Sequence, residues 1–529
     1  TLPAQPGELL ARCPLTVVDL GSVDGAGADR RAAARRFDRR LALIRDHQPA
    51  GAVLIVLGVA ETDARQPRLH VAVAHGPGFG PGWLRSPSTR RLPYVQLADV
   101  APTVLRVLGQ PVPEVAGRPL SGGAPGRPDS VAATVAALVD TDAQAVAQRS
   151  VLGPFFVGLG VALLLLVLVA GWLLRRRPAP NETAMRWLGV SALGLSAVPA
   201  ATFLANLVPW WRSPAPLPTV AVMAAAMAAA MTAVAVWSSR RPPRRADRVR
   251  IRLAVLALIT LVVFALDAVG GGWLQLNSLL GYNPLVAGRF VGFGNVAFAV
   301  FGAAGVMLAA LLAHRRLPRA AARGVAAVAV PVIVVDGLPS LGADFGGVLA
   351  LVPVFVLLGL LAAGARVTWT RLAAAAAGGA ALVLLISWWD YLRPADRRSH
   401  FGRFVGAILD GSAWQTVHRK LLVSLELLTM GPHTVAGAVL VVVGAVVLFR
   451  PPGPVRRVYS TWPVVRLGLT CVAALAGLAA AVNDSGVAIP VVTGLVVLPT
   501  VVALCAWGRL CDPPPPVRER HLAGTLAPS

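Results

Sequence analysis

Long apolar runs, separated by short polar segments, dominate the sequence after about residue 150. A helix needs roughly 20 apolar residues to cross the hydrocarbon core of a bilayer. The pattern therefore predicts an α-helical polytopic membrane bundle of about eleven transmembrane helices. The sixth run is the least regular, because Pro331 and Asp336 interrupt it. The predicted spans are 151–174, 187–208, 218–238, 251–269, 292–313, 321–338, 345–365, 370–389, 433–449, 464–482 and 487–507.

Arginine clusters follow every second predicted span, and the loops between them are poor in arginine. Because short cytoplasmic loops carry the excess of positive charge, the pattern predicts a multi-pass protein of the plasma membrane with an extracytoplasmic N-terminus and a cytoplasmic C-terminus. Only the loop 390–432 is basic on the predicted outer side. The predicted parts are an extracytoplasmic domain, a helical linker, a transmembrane domain and a cytoplasmic tail, at 1–130, 131–150, 151–508 and 509–529.

Composition agrees with the membrane class, since 56% of the residues are hydrophobic and only 14% are charged. The net charge of +24 comes from arginines in short loops, so we expect the lipid bilayer and no nucleic acid as a partner. Arginine in place of lysine, with much alanine, valine, glycine and proline, indicates a GC-rich, actinobacterium-like source. The four cysteines have no CxxC spacing and predict neither a disulfide framework nor a zinc site.

Polar residues collect in the predicted outer loops, near the ends of spans. Polar groups at membrane depth are costly unless they are buried in protein or line a wet cavity. We therefore expect an outward-facing polar cavity to be the functional site. Helix caps and tight turns are the alternative role for the same residues. The candidates in these loops are Arg289, Asn295, Asp336, Asp344, Asn483 and Asp484.

The basic outer loop offers a second candidate site. Apolar residues between His400 and Lys420 recur at helical spacing and predict an amphipathic helix on the outer surface. Its cations could form an anion clamp for phosphate or pyrophosphate, or could simply snorkel from an interfacial helix. The clamp candidates are Arg397, Arg398, Arg403, Arg419 and Lys420.

The N-terminal region has short β-rich runs at 14–21 and 51–58, with helix-like segments at 28–47 and 99–109. This alternation of strand and helix predicts an α/β layer fold. Since the sequence begins with Thr1, we expect an upstream part of this domain to be missing.

Two segments of this region, HVAVAHGPGFGPG (70–82) and STRRLPYVQLADVAPTVLRVLGQPVPEVAGRPL (88–120), resemble the C-terminal end of alkaline-phosphatase-superfamily proteins. The resemblance implies a partial α/β domain, a Ser or Thr nucleophile and a two-metal site of Asp and His ligands. The sequence has GVAETD (58–63) where that family has an Asp-His-Gly ligand motif. The resemblance thus implies a degenerate, non-catalytic domain, with a divalent metal only if the upstream part is intact. Isolated candidate metal ligands are Asp19, His70 and His75.

The membrane half resembles uncharacterised bacterial envelope proteins that carry NSLLGYNP (277–284), GRFVGFGN (288–295) and a late NDSG turn (483–486). The resulting hypothesis is transport or handling of a phosphorylated or lipid-linked envelope precursor. The alternatives are an extracytoplasmic phosphatase, phosphotransferase or glycan transferase, and a non-catalytic membrane scaffold.

Overall fold

The structure is a computed structural model of the 529-residue chain. Its described residues fall into two compact units. The N-terminal unit comprises Thr1–Ser150 and Tyr282–Val291, and the helical unit comprises Val151–Gly281 and Gly292–Ser529. The described residues are 6–23, 25, 27–61, 67–113, 117–176, 181–286, 288–314, 316–394, 398–411, 414, 418, 432–483 and 488–511.

The described part of the N-terminal unit contains short helices and two small antiparallel sheets. Strand β1 pairs with β2, with Leu54 opposite His75, and β3 pairs with β4, with Trp83 opposite Ala124. The elements are α1 (Gly7–Ala11), α2 (Gly27–Asp46), β1 (Leu54–Leu57), β2 (Ala72–His75), β3 (Trp83–Arg85), α3 (Val100–Val107) and β4 (Ser121–Ala124).

The predicted α/β layer is not found, since the described part of this unit has a few strands and no defined α/β domain. The run 51–58 contains β1, but 14–21 forms no described strand, and its Leu15 and Val17 are exposed. An α/β layer needs a crossover between parallel strands. Here the chain returns beside β1 as the antiparallel β2, so the sequence pattern of strand and helix does not produce that layer.

The DVAPT segment (99–103) has a structural role in this unit. Asp99, which is fully buried, accepts hydrogen bonds from Ser86 Oγ at 2.7 Å and Ser88 Oγ at 2.6 Å. It also accepts from the backbone N–H groups of Gln96 and Arg118, both at 2.9 Å. Because a buried carboxylate is stable only when such donors surround it, Asp99 ties the start of α3 to the segments on both sides.

The helical unit consists of long apolar helices. The first of them, α4, starts in the N-terminal unit and continues into the helical unit, so the predicted linker 131–150 and the first predicted span form one helix. The helices are α4 (Val131–Arg175), α5 (Glu182–Leu204), α6 (Pro216–Ser238), α7 (Arg245–Val269), α8 (Asn295–Leu312), α9 (Pro318–Gly337), α10 (Phe345–Ala362), α11 (Trp369–Tyr391), α12 (His400–Leu409), α13 (Pro432–Phe449), α14 (Gly453–Thr461), α15 (Pro463–Val482) and α16 (Ala488–Gly508).

Ten helices of the described chain are long and apolar enough to cross a membrane, which confirms a polytopic membrane protein. An eleventh span is formed if Val439–Phe449 and Gly453–Thr461, bent by 59° at their junction, count as one. The predicted sixth span is the continuous helix α9, with Pro331 inside it and Asp336 buried in its last turn. The orientation of the spans relative to the two sides of the membrane stays a prediction.

Helix α8 lies at the centre of the helical unit. Residues 297–311 are all buried, and α8 contacts α7, α9, α10, α15 and α16. A helix that is apolar on every face is buried on every face. Its many alanines and glycines let the neighbouring helices approach closely, which is a common device in membrane bundles.

Candidate functional site: a buried polar belt

Several helices of the helical unit begin or end at one cluster of buried polar residues, which we name the polar belt. Helices α7, α9 and α15 end there, and α8 and α10 begin there. The belt residues, all buried, are Asp267, Gln275, Asn277, Asp336, Asp344 and Asn483.

Backbone hydrogen bonds join the loops that form the belt. The N–H of Phe293 donates to the carbonyl of Gly342 at 2.6 Å, and the N–H of Asp344 donates to the carbonyl of Asp336 at 2.9 Å. Gly292 has a φ of 78° and its Cα faces the backbone of Gly342, so a side chain at this position would be both strained and obstructed. The loop before α8 is therefore held against the loop between α9 and α10.

Asp267 and Gln275 extend the belt toward the end of α7. The Asp267 carboxylate accepts from the N–H of Leu274 at 2.8 Å and from Gln275 Nε2 at 3.1 Å. Gln275 Oε1 in turn accepts from the N–H of Gly294, the N-cap of α8, at 3.4 Å. A chain of polar contacts thus connects the end of α7 to the start of α8.

Asp336, Asp344 and Asn483 meet around the first turn of α10. Asp336 is 0% exposed, Asp344 is 2% exposed and Asn483 is 8% exposed. Asp344 is the N-cap residue of α10. A Cβ placed at Gly346 would lie 2.7 Å from Cγ of Asn483, and one placed at Gly347 would lie even closer to Oδ2 of Asp336. The two glycines therefore leave the space that the carboxylate and the amide occupy.

Two amides of the belt have atoms without hydrogen-bond partners among the described residues. These atoms are Nδ2 of Asn483 and both amide atoms of Asn277, which is fully buried. Asn277 also has a φ of 58°, a left-handed conformation that asparagine tolerates better than most residues. Buried polar atoms are almost always paired in folded proteins, so these amides point to a bound water or ligand.

The structure brings several predicted site residues together. Asp336, Asp344 and Asn483 lie in the belt, and Asn295 is the first residue of α8 beside it. Arg289 belongs to the N-terminal unit, because the segment Tyr282–Val291 packs with that unit. There Arg91 Nε donates to the carbonyl of Phe290 at 2.9 Å. Asp484 lies outside the described residues.

The predicted anion clamp is described only in part, since Arg397, Arg419 and Lys420 lie outside the described residues. Arg398 donates from Nε to the carbonyl of Arg393 at 3.0 Å, and its guanidinium stacks 4.2 Å above the ring of Tyr391. Arg403 donates from Nε to the carbonyl of Ser399 at 3.4 Å. Both cations contact the chain itself, and the clamp stays a prediction.

The predicted metal ligands of the N-terminal unit lie at its surface. Asp19 accepts a hydrogen bond from the N–H of Gly21 at 2.8 Å, and His70 Nε2 lies 3.7 Å from a carboxylate oxygen of Glu61. His75 is exposed at the end of β2. Among the described residues, no group of three or more His, Cys, Asp or Glu side chains is arranged to hold a metal ion.

No family model, curated protein or solved structure matches this chain. The membrane class thus comes from the helices themselves, and the resemblance to alkaline-phosphatase-superfamily proteins stays an expectation. The polar belt and the elements around it are therefore the features that bear on a specific function.

The amphipathic helix α12 packs beside the belt. Its Phe401 and Phe404 contact the ring of Phe345, the first residue of α10, with centroid distances of 5.6 and 5.5 Å. Phe401 and Val405 are buried, whereas Ile408 is exposed. The sequence-predicted amphipathic helix is therefore confirmed over His400–Leu409, and its apolar face covers the start of α10.

Asp390, which is not among the predicted site residues, attaches α12 to the end of α11. Its fully buried Oδ2 accepts from the N–H and the Oγ of Ser399, both at 2.7 Å, and from the N–H of Gly402 at 2.9 Å. Its Oδ1 pairs with Arg393 at 3.2 Å. A carboxylate at the start of a helix satisfies N–H groups that the helix leaves unpaired.

We expect Asp390→Ala to release α12 from the helical unit. The change leaves the donors of Ser399 and Gly402 without their acceptor, and each such loss is worth about 1–3 kcal/mol. Backbone amides of α12 should then exchange hydrogen at least about tenfold faster, measured by mass spectrometry on the purified protein. Ser387→Ala is the matched control. It lies on the same helix, and its buried Oγ has no partner among the described residues. Equal exchange in the two variants would contradict this role for Asp390.

Proposed function

We propose that this protein is a multi-pass carrier of the cell envelope that transports or handles a phosphorylated or lipid-linked precursor through the polar belt. The observation that carries the proposal is the convergence of buried Asp, Asn and Gln side chains on the ends of apolar helices. Polar groups inside a membrane bundle are expensive, and in membrane proteins they mark the paths of substrates and ions.

The helix ends at the belt support a carrier. Helices α8 and α10 begin at the belt, where a helix carries partial positive charge, and α7, α9 and α15 end there, where a helix carries partial negative charge. Transporters bind polar substrates and ions at such interrupted helices, because the two kinds of helix end offer partial charges of both signs. Irregular backbone at this depth is tolerated where protein or a polar cavity surrounds it.

The chemistry of the belt suggests which groups of the substrate it would bind. The described belt offers carboxylates and amides, which suit hydroxyl and amide groups of a glycan or a headgroup. The phosphate would bind to the basic segment 397–420, of which the structure describes Arg398 and Arg403. Helix α12 connects these two features, since its cations belong to that segment and Phe401 packs on the start of α10.

A lipid-movement assay tests the proposal. The purified full chain is reconstituted in vesicles with a polyprenyl-phosphate lipid that carries a fluorescent, dithionite-sensitive headgroup. Asn295→Ala, Asp344→Asn and Asn483→Ala should each slow lipid movement about tenfold or more, because each removes a polar group of the site. Asn181→Ala is the control, since Asn181 caps α5 by accepting from the N–H of Ala184 and lies outside the belt.

Three results would overturn the proposal. Lipid movement equal to wild type in all three belt variants would remove the polar belt as the site. Release of inorganic phosphate from the same lipid with Mg²⁺ would favour the phosphatase alternative. No movement and no release with the wild-type protein would favour the scaffold.

A further inference from the structure

We infer that the end of α4 is a binding site for an anionic phospholipid, with the lipid phosphate on two arginines and an acyl chain in a notch of the same helix. The notch is a surface groove of about 560 Å³. This site is independent of the proposed carrier. The residues that line the groove are Val167, Leu168, Gly171, Trp172, Arg175 and Arg176.

The notch exists because Gly171 has no side chain. Residues three and four apart share one face of a helix, so Leu168 and Arg175 lie on either side of Gly171 along that face. A Cβ placed at Gly171 would meet open space. The walls are exposed as well, since Leu168 is 58% exposed and Trp172 is 55% exposed. The groove is therefore apolar along its length and cationic at its end.

Helix α4 is the span on which lipid is the expected neighbour. Only 11% of its most apolar stretch is buried, against 83% for the central helix α8. Apolar side chains that a membrane bundle does not bury are solvated by acyl chains, so a notch among them is filled by such a chain. The position of the notch on α4 thus favours a lipid over a soluble ligand.

The guanidinium of Arg176 is held at the level where lipid headgroups begin. It stacks 3.5 Å above the ring of Trp172. Tryptophan is enriched at the boundary between the hydrocarbon core and water. A guanidinium that stacks on a ring is fixed in orientation and keeps its N–H edge for another partner, and that edge matches two oxygens of a phosphate.

Arg175 adds a second cation beside the first. Neither Arg175 nor Arg176 donates a side-chain hydrogen bond to, or forms an ion pair with, a residue that the structure describes. Cations at the end of a helix often serve its last carbonyls. Here Arg509 has that role, because its guanidinium donates to the carbonyl of Leu174. The two arginines of α4 remain for a ligand.

The carboxylate beside this end of α4 is already paired. Glu182 lies 2.7 Å from the guanidinium of Arg186 and 2.9 Å from that of Arg245. Arg245 also donates to the carbonyl of Leu510, the residue after Arg509, which places this pair near the end of α4. The surroundings are therefore positive, and an anionic headgroup suits them better than a zwitterionic one.

The site is remote from the polar belt. Helix α7 starts with Arg245 near the end of α4 and finishes at the belt. Its 25 residues span roughly 37 Å, which is the thickness of a bilayer. A lipid on Arg175 and Arg176 is thus bound at the opposite end of α7 from the proposed substrate site.

Photo-labelling in a bilayer tests the site. The full chain is reconstituted in dioleoylphosphatidylcholine vesicles with a trace of probe lipid, either phosphatidylglycerol or phosphatidylcholine with a diazirine in one acyl chain. Adducts on residues 167–176 are quantified by mass spectrometry. We expect about fivefold more adduct from the phosphatidylglycerol probe, because each arginine near the headgroup favours an anionic lipid.

Two variants separate the charge from the notch. The double variant Arg175→Gln/Arg176→Gln should remove the preference for phosphatidylglycerol. Gly171→Leu keeps both arginines but fills the notch, and it should lower the adduct from phosphatidylglycerol to the level of phosphatidylcholine. Since Gly171 faces open space, this change should leave the fold intact.

Matched controls exist for both variants. Arg319→Gln/Arg323→Gln removes two exposed arginines from α9, and Gly160→Leu adds the same side chain at another open position of α4. Both should keep the preference, and so should the wild type with added inorganic phosphate at constant ionic strength. Loss of the preference on adding inorganic phosphate would instead identify a free anion as the ligand and overturn the lipid site.

Three further results would overturn it. Equal adduct from the two probes in the wild type would reduce the notch to ordinary lipid contact. A preference that survives in the double-arginine variant or in Gly171→Leu would assign it to another place on the protein. No adduct on residues 167–176 would mean that protein, and not lipid, covers this face of α4.

Discussion

Gly189→Leu is expected to prevent the helical unit from reaching a stable fold. Gly189 lies where α5 packs against α16, and a Cβ placed there would be 2.8 Å from Cδ1 of Trp507 and closer still to the rest of the indole. Trp507 is only 2% exposed, and its ring stacks 4.8 Å from the guanidinium of Arg252, so its neighbours hold the ring in place. Overpacking a well-filled core costs about 1–3 kcal/mol, and a leucine side chain against this rigid ring should reach or exceed that range.

The measurement is the yield of monodisperse protein in detergent, together with its unfolding midpoint. Gly160→Leu on α4 is the matched control, because no atom lies within 4 Å of a Cβ placed at Gly160. It should behave like wild type. Truncation of the obstructing ring in the double variant with Trp507→Leu should restore part of the yield, since the two positions interact directly. Normal yield and midpoint for Gly189→Leu alone would contradict the close packing of α5 and α16.

Gly347→Ala is expected to disable the polar belt while the membrane fold persists. A Cβ placed at Gly347 would be 2.8 Å from the ring of Phe298, which is fully buried, and would collide with Oδ2 of Asp336. The ring lies on the central helix α8 and is fixed by its neighbours, so the carboxylate has to yield. We expect the lipid movement to fall to background.

Gly359→Ala provides the control on the same helix. Its added methyl group would meet only Cγ1 of Val325, at 4.0 Å, which is ordinary van der Waals contact. Lipid movement should stay at wild-type level, and circular dichroism should give equal helix content for the two variants. If Gly347→Ala kept the lipid movement, Asp336 would not belong to the site of the proposed carrier.

The spans were predictable because the property that defines them is local. Each needs enough consecutive apolar residues, and the apolar runs in the sequence recur as helices within a few residues, apart from α4, which begins already in the predicted linker. The bend of 59° between α13 and α14 was not predicted, although Pro451 and Pro452 mark the position where a helix must break.

The polar belt was predictable only where a polar residue interrupts or borders an apolar run. Asp336, Asp344 and Asn483 carry that signal, and the structure places all three together. Asp267 carries the same signal at the end of α7 and was passed over. Which loops meet depends on long-range contacts such as that of Phe293 with Gly342, and no short pattern in the sequence encodes these.

The division of one loop between the two units and the pairing of the short strands depend on tertiary contacts, so the sequence pattern did not predict them. The loop 273–295, which the sequence predicts to be an outer loop, is divided between the two units, because its middle segment packs with Arg91, Tyr94 and the first part of α4. Each short strand of the N-terminal unit pairs with one antiparallel neighbour. A β-rich run alone does not specify whether its pairing is parallel or antiparallel.

The enclosure of α8 limits how the molecule can change shape. Because five neighbours surround this helix, it cannot leave its place without separating several interfaces at once. Leu475 of α15 and Val332 of α9 also fit closely against Gly302 and Gly305 of this helix. A working cycle would therefore keep α8 stationary, while larger displacements fall to the helices farther from it.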